Sequence, residues 1–413
     1  MDSEIRVIRA RWVMIESQHV VENGAVSFRD GVIVEAGHKD DVNGRVVEDF
    51  GDALICPGFV NAHTHLELTY LHNLLPPDAD FVGWLRRMYQ TFLASPPSES
   101  AVAESVRAGI EQSLRSGVTT VGDITRNPNA VRPVLAKSSL RAVSFGEVIA
   151  IGQRRTLLAE RLAAAVSREH ETERCAIGVS PHAPYSVEPE GMRACAAAAM
   201  QNPDRPLRVC VHAGETKDED AFTRSREGAF ADYLRELGPW WDANIPISEC
   251  GPFELLDRCE LLTPRTVIAH ANYASDDDIQ LLADRGASVA YCPRTHHAFG
   301  HEPHRFREML ATGVNVAIGT DSLASNPSLS IIDELRFLHQ HHRDVPVETV
   351  FDMGTRRAAK ALGLETAVGS IRLGMAADFA VFIAPNRGLR PLQSVLQDDQ
   401  PPCGVFVCGD RVP

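Results

Sequence analysis

Residues 57–68 read PGFVNAHTHLEL, an apolar run that ends in two histidines one residue apart. In an extended strand, residues i and i+2 point the same way, so His63 and His65 present two imidazoles on one face. The stretch Leu54–Ala62 is the first of eight short apolar, β-branched runs. The others are Val118–Ile124, Arg141–Ile149, Ala176–Pro181, Leu207–Val211, Thr266–Ala269, Ser288–Tyr291 and Val314–Ile318. Between them lie helical patterns at Glu104–Arg115, Thr156–Arg168, Glu190–Met200, Gly228–Leu237, Asp276–Arg285 and Pro303–Thr312. Nearly continuous apolar strands alternating with amphipathic helices predict a parallel sheet buried on both faces. Eight of them predict an α/β chain closed into a (β/α)8 barrel of the TIM type.

The two ends read differently. Residues 4–50 hold short alternating runs (IRVIRARWVMI, GAVSF, GVIVEAG) separated by Asn-Gly and Asp-Gly pairs that favour hairpin turns. The segments GSIRLGMAADFAVFI (369–383) and CGVFVCGDRV (403–412) repeat that style. The economical expectation is a small β-sandwich domain made by residues 1–56 and 369–413, around a catalytic barrel of residues 57–368.

Composition narrows the function classes. The 413 residues carry a formal charge of −14, with 44% apolar and 23% charged side chains, as in an ordinary globular protein. Such a balance offers no broad basic surface for a phosphate backbone, so no nucleic-acid partner is expected. No stretch approaches the ~18 continuous apolar residues of a membrane span. The start, MDSEIRVIRARWVM, lacks a secretory pattern. Nine cysteines without C-x-x-C spacing suggest buried, reduced thiols and a cytoplasmic location. The oligomeric state is left open, a homo-oligomer included.

The chemistry-bearing residues share one position. His63 and His65 follow strand one, His182 strand four, His212 strand five, His270 strand six and Asp321 strand eight. The C-terminal strand ends of a parallel barrel converge on one face, where active sites are built. Imidazole suits zinc, iron and similar ions, and a carboxylate adds charge that favours a divalent cation. His63, His65, His212 and Asp321 would hold one such ion, zinc before iron, and leave a position for water. That water ionises near neutral pH and becomes a nucleophile. Glu215, three residues past His212, is placed to move protons beside the ion without ligating it. His270 is read as a partner of Asp321 that orients the hydroxide rather than as a ligand. The ends of strands three and four carry Glu147 and His182 and no lysine to bridge two ions, so one metal is expected.

The segments PGFVNAHTHLEL, GVTTVGD, SPHAPYS, VHAGE, VIAHAN, YCPRTHH, AIGTDSLASNPSL and GSIRLGMAADFAVF resemble the amidohydrolase superfamily, within it the cytosine deaminase, guanine deaminase and chlorohydrolase-like branch. The resemblance covers nearly the whole chain. It implies hydrolytic release of ammonia from a ring amidine, with His63, His65, His212 and Asp321 on the metal. It also implies Glu215 and His270 in proton transfer, with Asp321 beside them, and His182 against the substrate ring. One departure concerns strand seven. Cys292 and Pro293 are followed by Arg294, Thr295, His296 and His297 instead of the branch's usual Ser-Asn pair. The run His296, His297, His301 and His304 is expected to be a solvated loop, with lining of the site mouth as the alternative.

For the substrate, Glu67 falls on the inward parity if the first strand persists, where a carboxylate could meet sugar hydroxyls or an exocyclic amine. The HxHxE pattern and the segment FVGWLRRM are similar to adenosine-type deaminases, aminodeoxyfutalosine deaminases among them. That resemblance implies Trp84 stacked on or shielding a base and Arg87 facing an anionic tail. The small-molecule substrate expected is an aminated purine or nucleoside-like heterocycle. Guanine or pterin deamination, triazine-type chlorohydrolysis and cyclic amide hydrolysis are the alternatives, with a non-catalytic binding protein more remote.

Overall fold

The computed structural model describes residues 4–385 and 388–412. The ends of the expected β domain at 1–3 and 413, and residues 386–387 within it, lie outside the described residues. Five strands lead the chain: β1 (Arg6–Glu16), β2 (His19–Arg29), β3 (Val32–His38), β4 (Arg45–Asp49) and β5 (Ala53–Pro57). The barrel follows with β6 (Phe59–Thr64), β7 (Val118–Thr125), β8 (Arg141–Val148), β9 (Cys175–Pro181), β10 (Arg208–Ala213), β11 (Thr266–His270), β12 (Ser288–Tyr291) and β13 (Asn315–Ile318). Three short strands close the chain, β14 (Phe379–Ile383), β15 (Gly404–Val407) and β16 (Asp410–Val412).

The barrel strands pair in sequence order from β6 to β13, each in parallel register with the next. Past β13 the chain returns to β6. The amides of Thr320 and Asp321 donate to the carbonyl of His63 at 3.1 Å, and Thr64 bridges Asp321 in parallel register. Gly319 permits that approach, since a Cβ there would sit 2.9 Å from the His63 Cβ. The (β/α)8 barrel is therefore as expected. Its helices bury apolar faces on the strands, and side-chain caps begin several of them. Ser275 and Asp278 form a capping box at Asp276–Arg285, and Ser98 accepts from the amide of Ala101.

The terminal strands make a second sheet, in the order β16-β15-β14-β5-β1-β2-β3, with β4 also on β1. It encloses an apolar cluster that includes Ile8, Val13, Phe28, Ile55 and Phe379. Two local expectations are corrected. Leu54–Ala62 is not one strand: β5 pairs with β1 and β14, whereas β6 pairs with β7. The break is at Gly58, where any Cβ would strike the Thr119 side chain at 2.3 Å. Both halves are buried and apolar, so hydropathy alone does not separate them. Asn23-Gly24 is no turn either. It lies inside β2, and Gly24 is needed because a Cβ would meet Val13 at 2.5 Å. Asp30-Gly31 does form the β2–β3 turn, with φ of 51° and 79°.

A separate apolar cluster lies over the barrel mouth, drawn from the 3₁₀ turn Leu66–Leu71, the helix Phe81–Ala94 and the helix Ala229–Glu236. All nine cysteines are free. Among the described residues no helix is long and apolar enough to cross a membrane.

Candidate active site

The five strand ends singled out by sequence do meet. His63 lies in β6 and His212 in β10, His182 follows β9 with its ring 4.9 Å from that of His212, His270 ends β11, and Asp321 follows β13 by three residues. His65 Nε2 is 3.4 Å from Asp321 Oδ1 and 3.4 Å from His212 Nε2, and His63 Nε2 is 3.7 Å from Asp321 Oδ1. His63, His65 and His212 offer donor atoms within 4.8 Å of one another, as do His63, His270 and Asp321. All five are buried. Distance alone therefore admits His270 to the donor set beside the four residues expected there.

The donor chemistry fits a divalent cation. His212 Nδ1 lies 3.0 Å from the carbonyl of His182, which can only accept. Nδ1 therefore carries the proton, and Nε2 presents a lone pair to the cluster. His63 Nε2 is buried with no hydrogen-bond partner among the described residues. Leaving such an atom unpaired costs about 1–3 kcal/mol. Burial holds the imidazoles of His63 and His65 well below their usual range, and that of His212 at about 4, so their lone pairs are free. Ser325 Oγ donates to Asp321 Oδ2 at 2.6 Å and fixes the carboxylate.

Glu215 stands beside this cluster. Its amide donates to Glu219 Oε2 at 2.9 Å, and its carbonyl accepts from Asn272 Nδ2 at 3.0 Å. These contacts leave the carboxylate free to face inward. Oε1 lies 3.3 Å from His270 Nε2, and Tyr185 OH donates to Oε2 at 3.5 Å. Burial, with Asp321 and Glu219 nearby, holds the Glu215 carboxyl well above the usual range.

A pocket of about 140 Å³ opens against His65 and His182. Leu85, Met88, Tyr89 and Phe92 of the helix Phe81–Ala94 form one wall, and Tyr233, Leu234, Leu237 and Trp240 face them. Its charged residues are Arg126 and Glu147, 3.5 Å apart. An outer chamber of about 490 Å³ shares Tyr89, Arg126, Glu147, Ile149 and Trp240 with it. Sequence reasoning assigned no role to Arg126 or Glu147, although both sit at strand ends, after β7 and in β8. Tyr185, the tyrosine of SPHAPYS, is a further residue of the site, and its position three residues after His182 is the signal that marks it in the sequence.

Three expected substrate contacts lie elsewhere. The strand stops at Thr64, so Glu67 enters a 3₁₀ turn and loses the inward parity. Its carboxylate accepts from the amides of Arg126 and Asn127 and from Asn127 Nδ2, all at 3.2 Å. Trp84 is buried within the apolar cluster over the mouth, where its indole donates to the Leu75 carbonyl at 2.9 Å and its ring packs on Phe299. Arg87 lies at the surface, where it pairs with Asp78 at 2.6 Å. The histidine run is not a solvated loop. His296 and His304 are buried, their Nε2 atoms 2.8 Å from the carbonyls of Glu302 and His270, and only His297 is exposed. Tyr291, stacked on His304, supplies the apolar cover.

Buried histidines and a carboxylate converging at the C-terminal face of a parallel barrel define a metal-dependent hydrolase. A sequence profile of the amidohydrolase family matches residues 54–412, and the chain belongs to that family. It is 30% identical over 393 residues to the 5-methylthioadenosine/S-adenosylhomocysteine deaminase of Nitratidesulfovibrio vulgaris, covering 90% of this chain and 82% of that protein. An adenosine deaminase from Xanthomonas campestris with bound zinc has the same fold, with a TM-score of 0.82 at 24% identity over 98% of this chain and 92% of that one. So does the Helicobacter pylori aminofutalosine deaminase in complex with methylthio-coformycin, with a TM-score of 0.84 at 24% identity, covering 99% and 100%.

Proposed function

We propose that the chain releases ammonia from the amino-substituted ring of an adenine nucleoside. The observation that carries this reading is the convergence of His63, His65, His212, His270, Asp321 and Glu215 beside a pocket walled by aromatic and aliphatic side chains. The deaminase names of the relatives support the same substrate class. In this reading His63, His65, His212 and Asp321 hold one divalent ion, zinc before iron. When bound, it supplies the Lewis acidity that makes water a nucleophile near neutral pH.

The remaining steps belong to the chain. Glu215 takes a proton from the attacking water and delivers it to the ring nitrogen as the C–O bond forms. It then carries the remaining proton of the new C–OH group to the amine, which leaves as ammonia as the C–N bond breaks and the carbonyl forms. His270, 3.3 Å from that carboxylate, holds its orientation and balances charge as the ring is attacked. His182 meets the ring from the opposite wall. Its Nδ1 lies 2.6 Å from Ser186 Oγ, which leaves Nε2 toward the pocket. The apolar walls exclude bulk water from these groups. We also take residues 57–368 as the catalytic barrel, and residues 1–56 and 369–413 as the β unit that buttresses it.

The test is an ammonia-release assay of metal-loaded protein against adenosine-type nucleosides, guanine, pterins and triazines. Release from nucleosides alone supports the reading. Release only from guanine, a pterin or a triazine overturns the substrate class. Full activity after exhaustive chelation, with no metal in the protein, overturns the assigned ligand set.

A further inference from the structure

Among the buried carboxylates of this region, Glu67, Glu188 and Glu215 are already engaged. Glu67 spends its oxygens on the amides of Arg126 and Asn127. Glu188 accepts from the Gly152 amide and from Arg155. Glu215 faces the histidine cluster. Glu147 is different. Its side chain is only 3% exposed, it borders both the pocket and the outer chamber, and no described residue donates a hydrogen bond to it. Its polar neighbours stand off, Arg126 Nε at 3.5 Å and His182 Nε2 at 3.9 Å.

Beside the Arg126 guanidinium, the Glu147 carboxyl oxygens are acceptors with no bonded donor among the described residues, so a ligand group lying against them is best matched if it donates. Burial pushes the Glu147 carboxyl above its usual range, while Arg126 beside it opposes that shift and is itself held in place. Its main chain is pinned by Glu67, and its guanidinium lies 4.8 Å over the Phe92 ring. A purine nucleoside has donors in two places. The exocyclic amine must lie by Glu215, where it leaves. A ring held against His182 would bring its sugar toward Glu147, whose Oε1 lies 3.9 Å from His182 Nε2 and which lines both the pocket and the chamber. We infer that Glu147 is the specificity-determining residue of this site and accepts hydrogen bonds from the sugar hydroxyls of the substrate. This rests on the nucleoside reading above. It moves the sugar contact from Glu67, the carboxylate of the HxHxE pattern, to the end of β8.

The experiment compares adenosine with 2′,3′-dideoxyadenosine on metal-loaded wild type, Glu147→Gln and Glu147→Asp. Wild type is expected to prefer adenosine by about 10- to 100-fold in kcat/KM, the range of hydrogen bonds to a charged group. Glu147→Gln should bring that ratio close to one, mainly by raising KM for adenosine, at unchanged metal content and melting temperature. Glu147→Asp should keep part of the preference. A Gln variant that retains the wild-type ratio overturns the inference, as does a wild type that treats both nucleosides alike. If wild type turns over neither nucleoside but is active on another ring, the nucleoside reading falls first and this inference with it.

Discussion

His304 Nε2 donates to the main-chain carbonyl of His270 at 2.8 Å, while the His304 ring stacks on Tyr291 with centroids 3.9 Å apart. His270 needs that hold. Its φ of 73° lies in the left-handed region, as does that of Ala271 at 53°, and such backbone costs about 1–3 kcal/mol per residue unless its surroundings enforce it. Burial keeps the His304 imidazole at about 3, hence neutral, with its one N–H on Nε2. His304→Ala is expected to lower kcat about 10-fold, by analogy with the loss of one hydrogen bond of about 1 kcal/mol or more, with KM and metal content little changed. His304→Gln should recover part of the loss. A kcat equal to wild type in the Ala variant would show that the bond is idle.

Glu215 meets His270 Nε2 at 3.3 Å and Tyr185 OH at 3.5 Å, and it belongs to neither group of converging metal-type donors. Glu215→Gln is therefore expected to bind metal at wild-type stoichiometry and to lose about 10²- to 10⁴-fold in turnover. Metal analysis and steady-state rates on the same preparation separate the two effects. Loss of metal in step with activity would make Glu215 a ligand.

Two residues of FVGWLRRM separate by where their side chains end. Arg87→Ala breaks only an exposed pair, and kcat/KM should stay within about twofold, since such pairs contribute about 0–1 kcal/mol. Trp84→Ala removes a buried ring and should cost about 3–5 kcal/mol in urea unfolding. A large rise in KM for Arg87→Ala with stability intact would restore it as a substrate contact.

Glu334 is buried away from the pocket, accepting from Asn326 Nδ2 at 2.7 Å and the Arg294 amide at 2.9 Å. Burial raises its carboxyl from the ordinary 4.5 to about 8. Between those values the folded chain holds a proton that the unfolded chain has released, so this group's contribution to stability falls as the pH rises. Glu334→Gln carries no such proton. Its stability relative to wild type should improve from pH 5 to pH 8, read from urea midpoints at each pH. A constant difference across that window would refute the raised value.

The barrel and its metal-type cluster were legible in the chain because both follow from local rules. Apolar β-branched runs make buried parallel strands, and polar residues placed just after them fall on one face. The same rules misplaced Glu67, since parity holds only while a strand lasts and β6 stops at Thr64. They also misjudged the histidines after β12, because a polar run reads as solvated unless its cover is known. Here Tyr291 and the carbonyls of Glu302 and His270 provide that cover.

By itself, the sequence determined eight parallel strands and which imidazoles and carboxylates stand at their ends. Only the tertiary structure decided that the run through Gly58 serves two sheets, that Glu67 is consumed by main-chain amides, and that Glu147 and Arg126 face the pocket. The reason is physical. Periodicity and residue chemistry act over a few neighbours along the chain, whereas the partners that satisfy or free a buried carboxylate arrive from segments tens of residues away.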